Sequence, residues 1–454
     1  LTSRRAGRKR LRDPTDRKTD MPISAGRAFV AILASSVAAT PAFASAFALR
    51  EASPGSLGRA FAGEGAIADS AATIWYNPAG MTQLEGFTAS AGVHLLSVQS
   101  SQRDLGTTRT VPGLPAPVAT GGGNGGNPFH PVVVVPTLYG SMQLSDRLWA
   151  GIGVNAPFGL VVDYDDGWFG RYDSKRSVLK TYNVQPSLAW KLDDRFAIGG
   201  GVSIQYIEAD LQNAMPNLSP LLADGSARVK GDDISVGWNI GGRFESGPIA
   251  VGLHYRSKVK HQLKGRFTLE GLLGPLAGSN GVRDARAPIT LPDSLSASAV
   301  FRAGEKTRIL AGWEWTNWSV FDAIRIESAG GNPISTSPQN YKDSMSVHLG
   351  GEYDVSDRLT LRAGVATDST PTVDAWRTSR VPDGDRIWLS GGAGWKLSET
   401  LAARLSYAHV FVSTEQLDRA DEFYAGTPAR IVSTLRSENR GNVDIIAADF
   451  TIRF

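Results

Sequence analysis

Six histidines (His94, His130, His254, His261, His348 and His409) and numerous serines are the side chains here best suited to covalent or metal chemistry. A serine hydrolase needs its nucleophile on a sharp turn, as in a G-x-S-x-G elbow, with a histidine base in reach. No such elbow occurs, so a lipase or esterase is left without a motif. Metal ligation fares no better, because neither H-x-x-x-H nor E-x-x-H spacing appears. The chain holds no cysteine, which excludes disulfides, iron–sulfur clusters and a thiol nucleophile. No catalytic residue, metal or cofactor is therefore expected, and no enzyme.

Recognition of apolar matter is the chemistry that remains. The stretch 209–230 contains Met215, Leu218, Leu221 and Leu222, and the stretch 261–291 contains Phe267, Leu269, Leu272, Leu273 and Leu276. Apolar clusters in otherwise polar connections either pack together or stay exposed for capture. A third feature is Asn155-Ala-Pro-Phe-Gly159, where Pro157 lacks the N–H that a β-ladder requires and favours a kink or a gap.

The elements that position these residues are strands. Ile446, Ala448, Phe450, Ile452 and Phe454 alternate with Asp449, Thr451 and Arg453, and similar period-two runs recur along the chain. Fourteen strands are expected, at 86–101, 131–143, 148–157, 179–191, 196–207, 231–244, 249–260, 292–303, 307–319, 342–354, 359–367, 386–396, 401–411 and 442–454. Tight turns such as Leu144-Ser-Asp-Arg-Leu148 and Val355-Ser-Asp-Arg-Leu359 alternate with long connections throughout. A two-sided soluble sandwich has no reason to alternate in this way. A membrane barrel does, with short periplasmic turns and long extracellular loops. Closure gives every backbone N–H in lipid a partner. The expected fold is an all-β, fourteen-stranded antiparallel transmembrane barrel in a Gram-negative outer membrane. Within it His348 reads as a lumen residue and His409 as part of an interfacial girdle.

Net charge over the 454 residues is +3, which by itself hints at an anionic partner. Residues 1–44 hold nine basic and three acidic residues, and without them 38 basic and 41 acidic residues leave −3. That opening stretch reads as an upstream extension followed by a secretory signal peptide, with Met21 as the start, an apolar core at 29–40 and an Ala42-Phe43-Ala44 cleavage signal. Nucleic acid is therefore not an expected partner.

Residues 45–85 carry Phe47, Leu49, Phe61, Ile67, Ile74 and Trp75, too much apolar surface for a tail. A barrel of fourteen strands has a lumen wider than its own side chains fill. This segment is expected to fold inside as a hatch, leaving 86–454 as the barrel.

Several blocks carry a resemblance to a known family: Leu57-Gly-Arg-Ala-Phe-Ala-Gly-Glu-Gly-Ala-Ile-Ala-Asp69, Asn77-Pro78-Ala79, Gly237-Trp-Asn-Ile-Gly241, Tyr255-Arg-Ser-Lys258, Leu291-Pro292, Asn317-Trp-Ser-Val-Phe321 and Pro382-Asp-Gly-Asp-Arg-Ile-Trp388. In order and spacing the chain resembles the outer-membrane long-chain fatty-acid transporters and related aromatic-hydrocarbon porins (FadL, TodX and OmpP1 types). The resemblance implies passive uptake of a long-chain fatty acid or another hydrophobic small molecule, with a neutral aromatic or alkyl hydrocarbon as the alternative substrate. It implies capture between the two apolar loops, a hatch around Asn77, Pro78 and Ala79, and a lateral opening into outer-membrane lipid at Asn155, Pro157 and Gly159. Arg325 falls where a head-group cation is matched, whereas Glu208 stands where a second basic residue would be. The terminal Phe454 matches the aromatic ending of outer-membrane barrels and implies recognition by the barrel-assembly machinery.

Overall fold

The computed structural model describes residues 46–129 and 132–454. The expectations for residues 1–44 and for His130 lie outside the described residues.

A closed antiparallel barrel of fourteen strands forms the body of the protein. In chain order its strands are Phe87–Asp104, Val133–Ser145, Leu148–Asn155, Arg176–Lys191, Phe196–Met215, Gly225–Ser246 and Ile249–Arg256. Then follow Ser294–Arg302, Thr307–Thr316, Ser344–Ser356, Leu359–Asp368, Arg386–Lys396, Leu401–Val412 and Ile431–Arg453. Each pairs with its neighbours, and the first closes on the fourteenth from Thr88↔Arg453 to Asp104↔Ser437. At that seam Phe87 and Phe454 exchange both backbone hydrogen bonds at 2.9 Å.

Side chains alternate between lipid and lumen as period two demands. On the fourteenth strand Ile446 and Phe450 are 53% and 55% exposed, whereas Ile445 and Ala447 are buried. The sixth strand turns Ile234, Val236, Trp238 and Ile240 outward in the same way. Such a row is costly in water and favourable in lipid. No helix among the described residues is long and apolar enough to cross a membrane; the strands do so.

The sixth strand has 22 residues and the fourteenth 23, well beyond the 9–11 or so that cross a bilayer. The wall therefore continues outside the lipid. Much of what reads as loop at 209–230 and 261–291 is strand: the fifth strand runs to Met215 and the sixth starts at Gly225, while Val259–Glu270 pairs with Gly281–Leu291. Alternation persists in part of these extensions, as Val259, Leu263 and Phe267 against Lys260, Lys264 and Arg266 show, but Pro216, Pro220, Gly225, Gly271 and Pro275 interrupt it.

Residues 46–86 lie inside the barrel. Gly65 donates its N–H to Ser298 Oγ on the eighth strand, and Ala71 to Ser90 Oγ on the first. Two four-residue helical turns, Pro54–Leu57 and Thr73–Tyr76, and a 3₁₀ turn, Pro78–Gln83, are all this segment has of regular structure. Contacts with the wall take the place of a secondary-structure framework.

Candidate functional site

Asn77 shows how the inner segment is pinned. Its Nδ2 donates to Gly65 O at 2.8 Å and to Gly242 O on the sixth strand at 3.0 Å, while its Oδ1 accepts from Ala79 N at 3.1 Å. Pro78 opens the 3₁₀ turn, where a missing N–H costs nothing. The wall makes room with glycine: a Cβ on Gly241 would lie 2.2 Å from Asn77 Oδ1.

Arg59 is a second anchor. Its buried guanidinium meets Glu64 at 3.3 Å, Asp69 at 3.2 Å and Glu352 of the tenth strand at 3.1 Å. Asp69 in turn meets Arg362 and Arg404, each at 3.3 Å, and Glu352 meets Arg308 at 2.7 Å. Every charge in this group has an opposite neighbour, which is the condition for keeping ions out of water.

Above that network lies an inner cavity of about 110 Å³. Leu49, Phe61, Trp75, Phe158 and Trp313 give it apolar walls, and Arg50, Glu64, Arg256 and Glu314 face it as charges, Glu64 being held by Arg59. Arg50 is neutralised by Glu314 at 3.2 Å and Asp368 at 3.6 Å. Arg256, at the end of the seventh strand, differs. It donates to Gln185 Oε1 at 2.9 Å and to Trp75 O at 2.7 Å, and stacks 3.4 Å from the centre of the Trp75 ring. It forms no salt bridge among the described residues. A partly buried cation held by neutral acceptors and an aromatic face is set up to receive an anion.

The barrel wall is broken beside this cavity. The ladder between the second and third strands ends at Leu138↔Val154, so residues 133–137 pair only with the first strand. The third strand stops at Asn155, two residues short of the expected end, because Pro157 has no N–H to give. The chain then resumes as Gly159–Asp163, paired only with the fourth strand. Asn155 faces Asn183 and Gly159 faces Lys180, which leaves one extra residue in the third strand, a bulge. The released backbone groups are taken up from inside: Leu49 N–H donates to Pro157 O and Gly159 N–H to Phe47 O, both at 2.8 Å. Phe47 also packs edge-on against Trp318 at 4.7 Å and Phe321 at 5.3 Å.

An outer cavity of about 560 Å³ opens between the extracellular extensions. Met215, Phe267, Ile324 and Ile326 line one side, and Asp173, Arg380, Arg419 and Asp421 another. Arg380 donates to Ser177 Oγ at 3.0 Å and forms no salt bridge among the described residues, and burial lowers its pKa. The two apolar connections are joined by Asn217, whose Nδ2 donates to Gly271 O at 3.0 Å and whose Oδ1 accepts from Leu273 N at 2.9 Å. Leu272 and Leu276 are buried in that junction and Leu218 packs beside Tyr172 and Phe423. Phe267 and Leu269 are half-buried on the 259–270 strand. Leu221 is 94% exposed at the tip, with Leu222 and Leu273 also exposed. Met215 and Phe267 are thus brought to one cavity, while Leu221 is held apart from it.

The head-group candidate is moved. Arg325 sits on the extracellular strand Ala323–Ser328, half-buried and bound to Asp322 at 2.5 Å, and is not among the residues lining the inner cavity. Glu208 belongs to the lipid-facing register of the fifth strand, paired with Lys230 at 3.4 Å, so it opposes no anion in the lumen. Arg256 was within a recognisable block, Tyr255-Arg-Ser-Lys258, but nothing in its spacing set it apart from the lysines that follow. His348 lies in the lumen, its Nδ1–H donating to Ala60 O at 2.8 Å, and His409 bonds Asp444 on the outer wall.

The sequence profile of the outer membrane transport protein family (OMPP1/FadL/TodX) matches residues 35–454. The chain belongs to that family. A putative outer membrane protein of Neisseria meningitidis is 28% identical over 96% of this chain and 100% of its own length. The long-chain fatty acid transport protein of Escherichia coli K12 is 26% identical, over 82% and 89% respectively. Among solved structures, a Pseudomonas aeruginosa FadL homologue superposes with a TM-score of 0.81 at 24% identity, covering 90% of this chain and all of that one. The Pseudomonas putida toluene transporter TodX gives 0.60 at 16%, covering 85% and 94%. This FadL/TodX-type protein is an outer-membrane barrel that transports hydrophobic molecules.

Proposed function

We propose that this family member takes up long-chain fatty acids passively, binding the carboxylate at Arg256 and releasing the molecule sideways through the break at Pro157. The guanidinium of Arg256 carries this reading: Arg50, Glu314 and Glu64 on the same cavity each have an ion-pair partner, and among the described residues Arg256 has none. An alkyl chain in water costs about 0.8 kcal/mol for each CH₂, so a path through apolar surface is needed from end to end. The outer cavity, with Met215 and Phe267 on one wall and Arg380 on the other, suits first capture of such an amphiphile. The inner cavity, walled by Phe158, lies against the broken ladder, which offers exit without passing the ion network around Arg59. Residues 46–86 act in this reading as a hatch closing the periplasmic route, and the relatives named for fatty-acid transport point to the same substrate class.

Neutral hydrocarbon is the second reading, favoured by the aromatic lining of Phe61, Trp75 and Trp313. Purified protein in liposomes, supplied in parallel with oleate, hexadecane, toluene and a sugar, separates the two. Oleate entry that depends on Arg256 supports the fatty-acid reading. Equal entry of hexadecane with no effect of Arg256→Gln on oleate would replace it.

A further inference from the structure

The outer wall of the barrel carries a cationic stripe just above its apolar belt. On the sixth strand the lipid-facing row Ile240, Trp238, Val236 and Ile234 gives way outward to Asp232, Lys230 and Arg228. The level of the change is marked by outward aromatics: Tyr182 stacks on Tyr206 at 6.3 Å and Trp238 lies 5.4 Å from Tyr255. Aromatic rings of this kind sit at the boundary between hydrocarbon and headgroups.

From that level the chain leaves the seventh strand, with Ser257 N–H bonded to Trp238 O at 2.9 Å. Lys258, Lys260, Gln262, Lys264 and Arg266 then point outward in strict alternation with the inward Val259, His261 and Leu263. Arg286 stands directly across from Lys264. The carboxylates on the same face are Asp232 across from Lys264, Asp284 across from Arg266, Glu327 across from Arg286, and Glu270 at the far end of the 259–270 strand. None forms a salt bridge with Lys258, Lys260, Lys264, Arg266 or Arg286, which have no such partner among the described residues. The neighbouring cations Lys230 and Arg228 are already taken, by Glu208 at 3.4 Å and Asp210 at 2.5 Å.

We infer that this stripe docks phosphate-bearing lipid headgroups of the outer leaflet around the barrel. Its height matches headgroups, its sign matches phosphate, and it continues the lipid-facing belt without interruption. Lys258 and Lys260 are exposed on the outer face at the girdle, where long basic side chains can carry their charges to headgroup level. The two rungs above them place Lys264, Arg266 and Arg286 within one headgroup's span. Charge attraction to an anionic surface then adds to the apolar contact below. Lipid held there would fix the 259–291 hairpin, whose other face carries Phe267 toward the outer cavity.

The test uses the full chain in a neutral maltoside detergent, titrated with diphosphoryl lipid A, its dephosphorylated counterpart and inorganic phosphate, with adducts counted by native mass spectrometry. The diphosphoryl lipid should bind at least about ten-fold more tightly than the dephosphorylated one, and that preference should vanish in the K258Q/K260Q/K264Q/R266Q variant. It should also weaken several-fold between about 50 and about 500 mM salt, a measurement on the unaltered protein that stands even where the quadruple variant does not fold. Equal affinity for the two lipids, a salt-independent preference, or a folded variant that keeps the preference overturns the inference. Competition by millimolar inorganic phosphate would assign the stripe to a soluble anion and overturn it too.

Discussion

Leu49 donates its backbone N–H to the carbonyl of Pro157 at 2.8 Å, joining the inner segment to the one place where the barrel wall loses its ladder. A buried carbonyl that has lost its strand partner must find another donor, and here the donor comes from the lumen rather than from the neighbouring strand. Phe47 O, accepting from Gly159 N, completes the pair.

If the proposed lateral route is used, restoring the ladder should close it. With Pro157→Val and Gly159→Val the third strand can continue toward residues 133–137 of the second. Oleate entry into liposomes is expected to fall about ten-fold or more while oleate binding persists, since an N–H returns to the ladder. Unchanged entry would sink the lateral route.

Arg256→Gln should weaken oleate binding by about 2 kcal/mol, roughly thirty-fold, the scale of a charge-assisted hydrogen bond. Hexadecane binding should not move, and Arg256→Lys should recover part of the loss. Fluorescence competition with a labelled fatty acid measures all three.

The ion network makes a stability expectation. Arg59→Met leaves Glu352 and Asp69 with one buried guanidinium fewer, and removing one partner of a buried group costs about 3–5 kcal/mol. A lower midpoint of thermal unfolding in detergent is the readout, together with faster proteolysis of residues 46–86. A variant as stable as the parent would mean that residues 46–86 are held by packing alone.

Gly241→Ala tests the pinning of Asn77. The added Cβ would lie 2.2 Å from Asn77 Oδ1, so the side chain must abandon its bonds to Gly65 and Gly242. Leaving those buried carbonyls unsatisfied costs about 1–3 kcal/mol. Asn77→Ala should give a similar loss, and the double variant little more than either alone.

Asp421, in the extracellular strand Glu415–Phe423, has its carboxyl pushed up to about 6 by burial and by nearby Asp173, against the pull of Arg419. Its folded value is above the unfolded one, so its stabilising contribution is complete below about pH 4 and is lost as pH rises through about 6. Asp421→Asn stays neutral throughout. The Tm of that variant relative to the parent should therefore climb between pH 4 and pH 7; a flat difference would exclude the titration.

Alternating strands, short and long connections, and an apolar N-terminal segment were all legible in the sequence, because period two and turn chemistry are local properties of the chain. Pro157 was legible for the same reason: a missing N–H is a covalent fact. At 209–230 and 261–291 proline, glycine and turn residues (Pro216, Pro220, Gly225, Gly271, Pro275) interrupt the alternation, so their hairpins read as loops. Nor could spacing tell that Arg325 is neutralised by Asp322 outside while Arg256 is left without a carboxylate inside, because pairing of charges depends on which strands the closed barrel makes neighbours. The sequence by itself determined that this chain closes into a membrane barrel around its own N-terminal segment. Only the tertiary structure decided which cation faces the cavity and what fills the gap at Pro157, since both are set by residues more than a hundred positions apart brought together by closure.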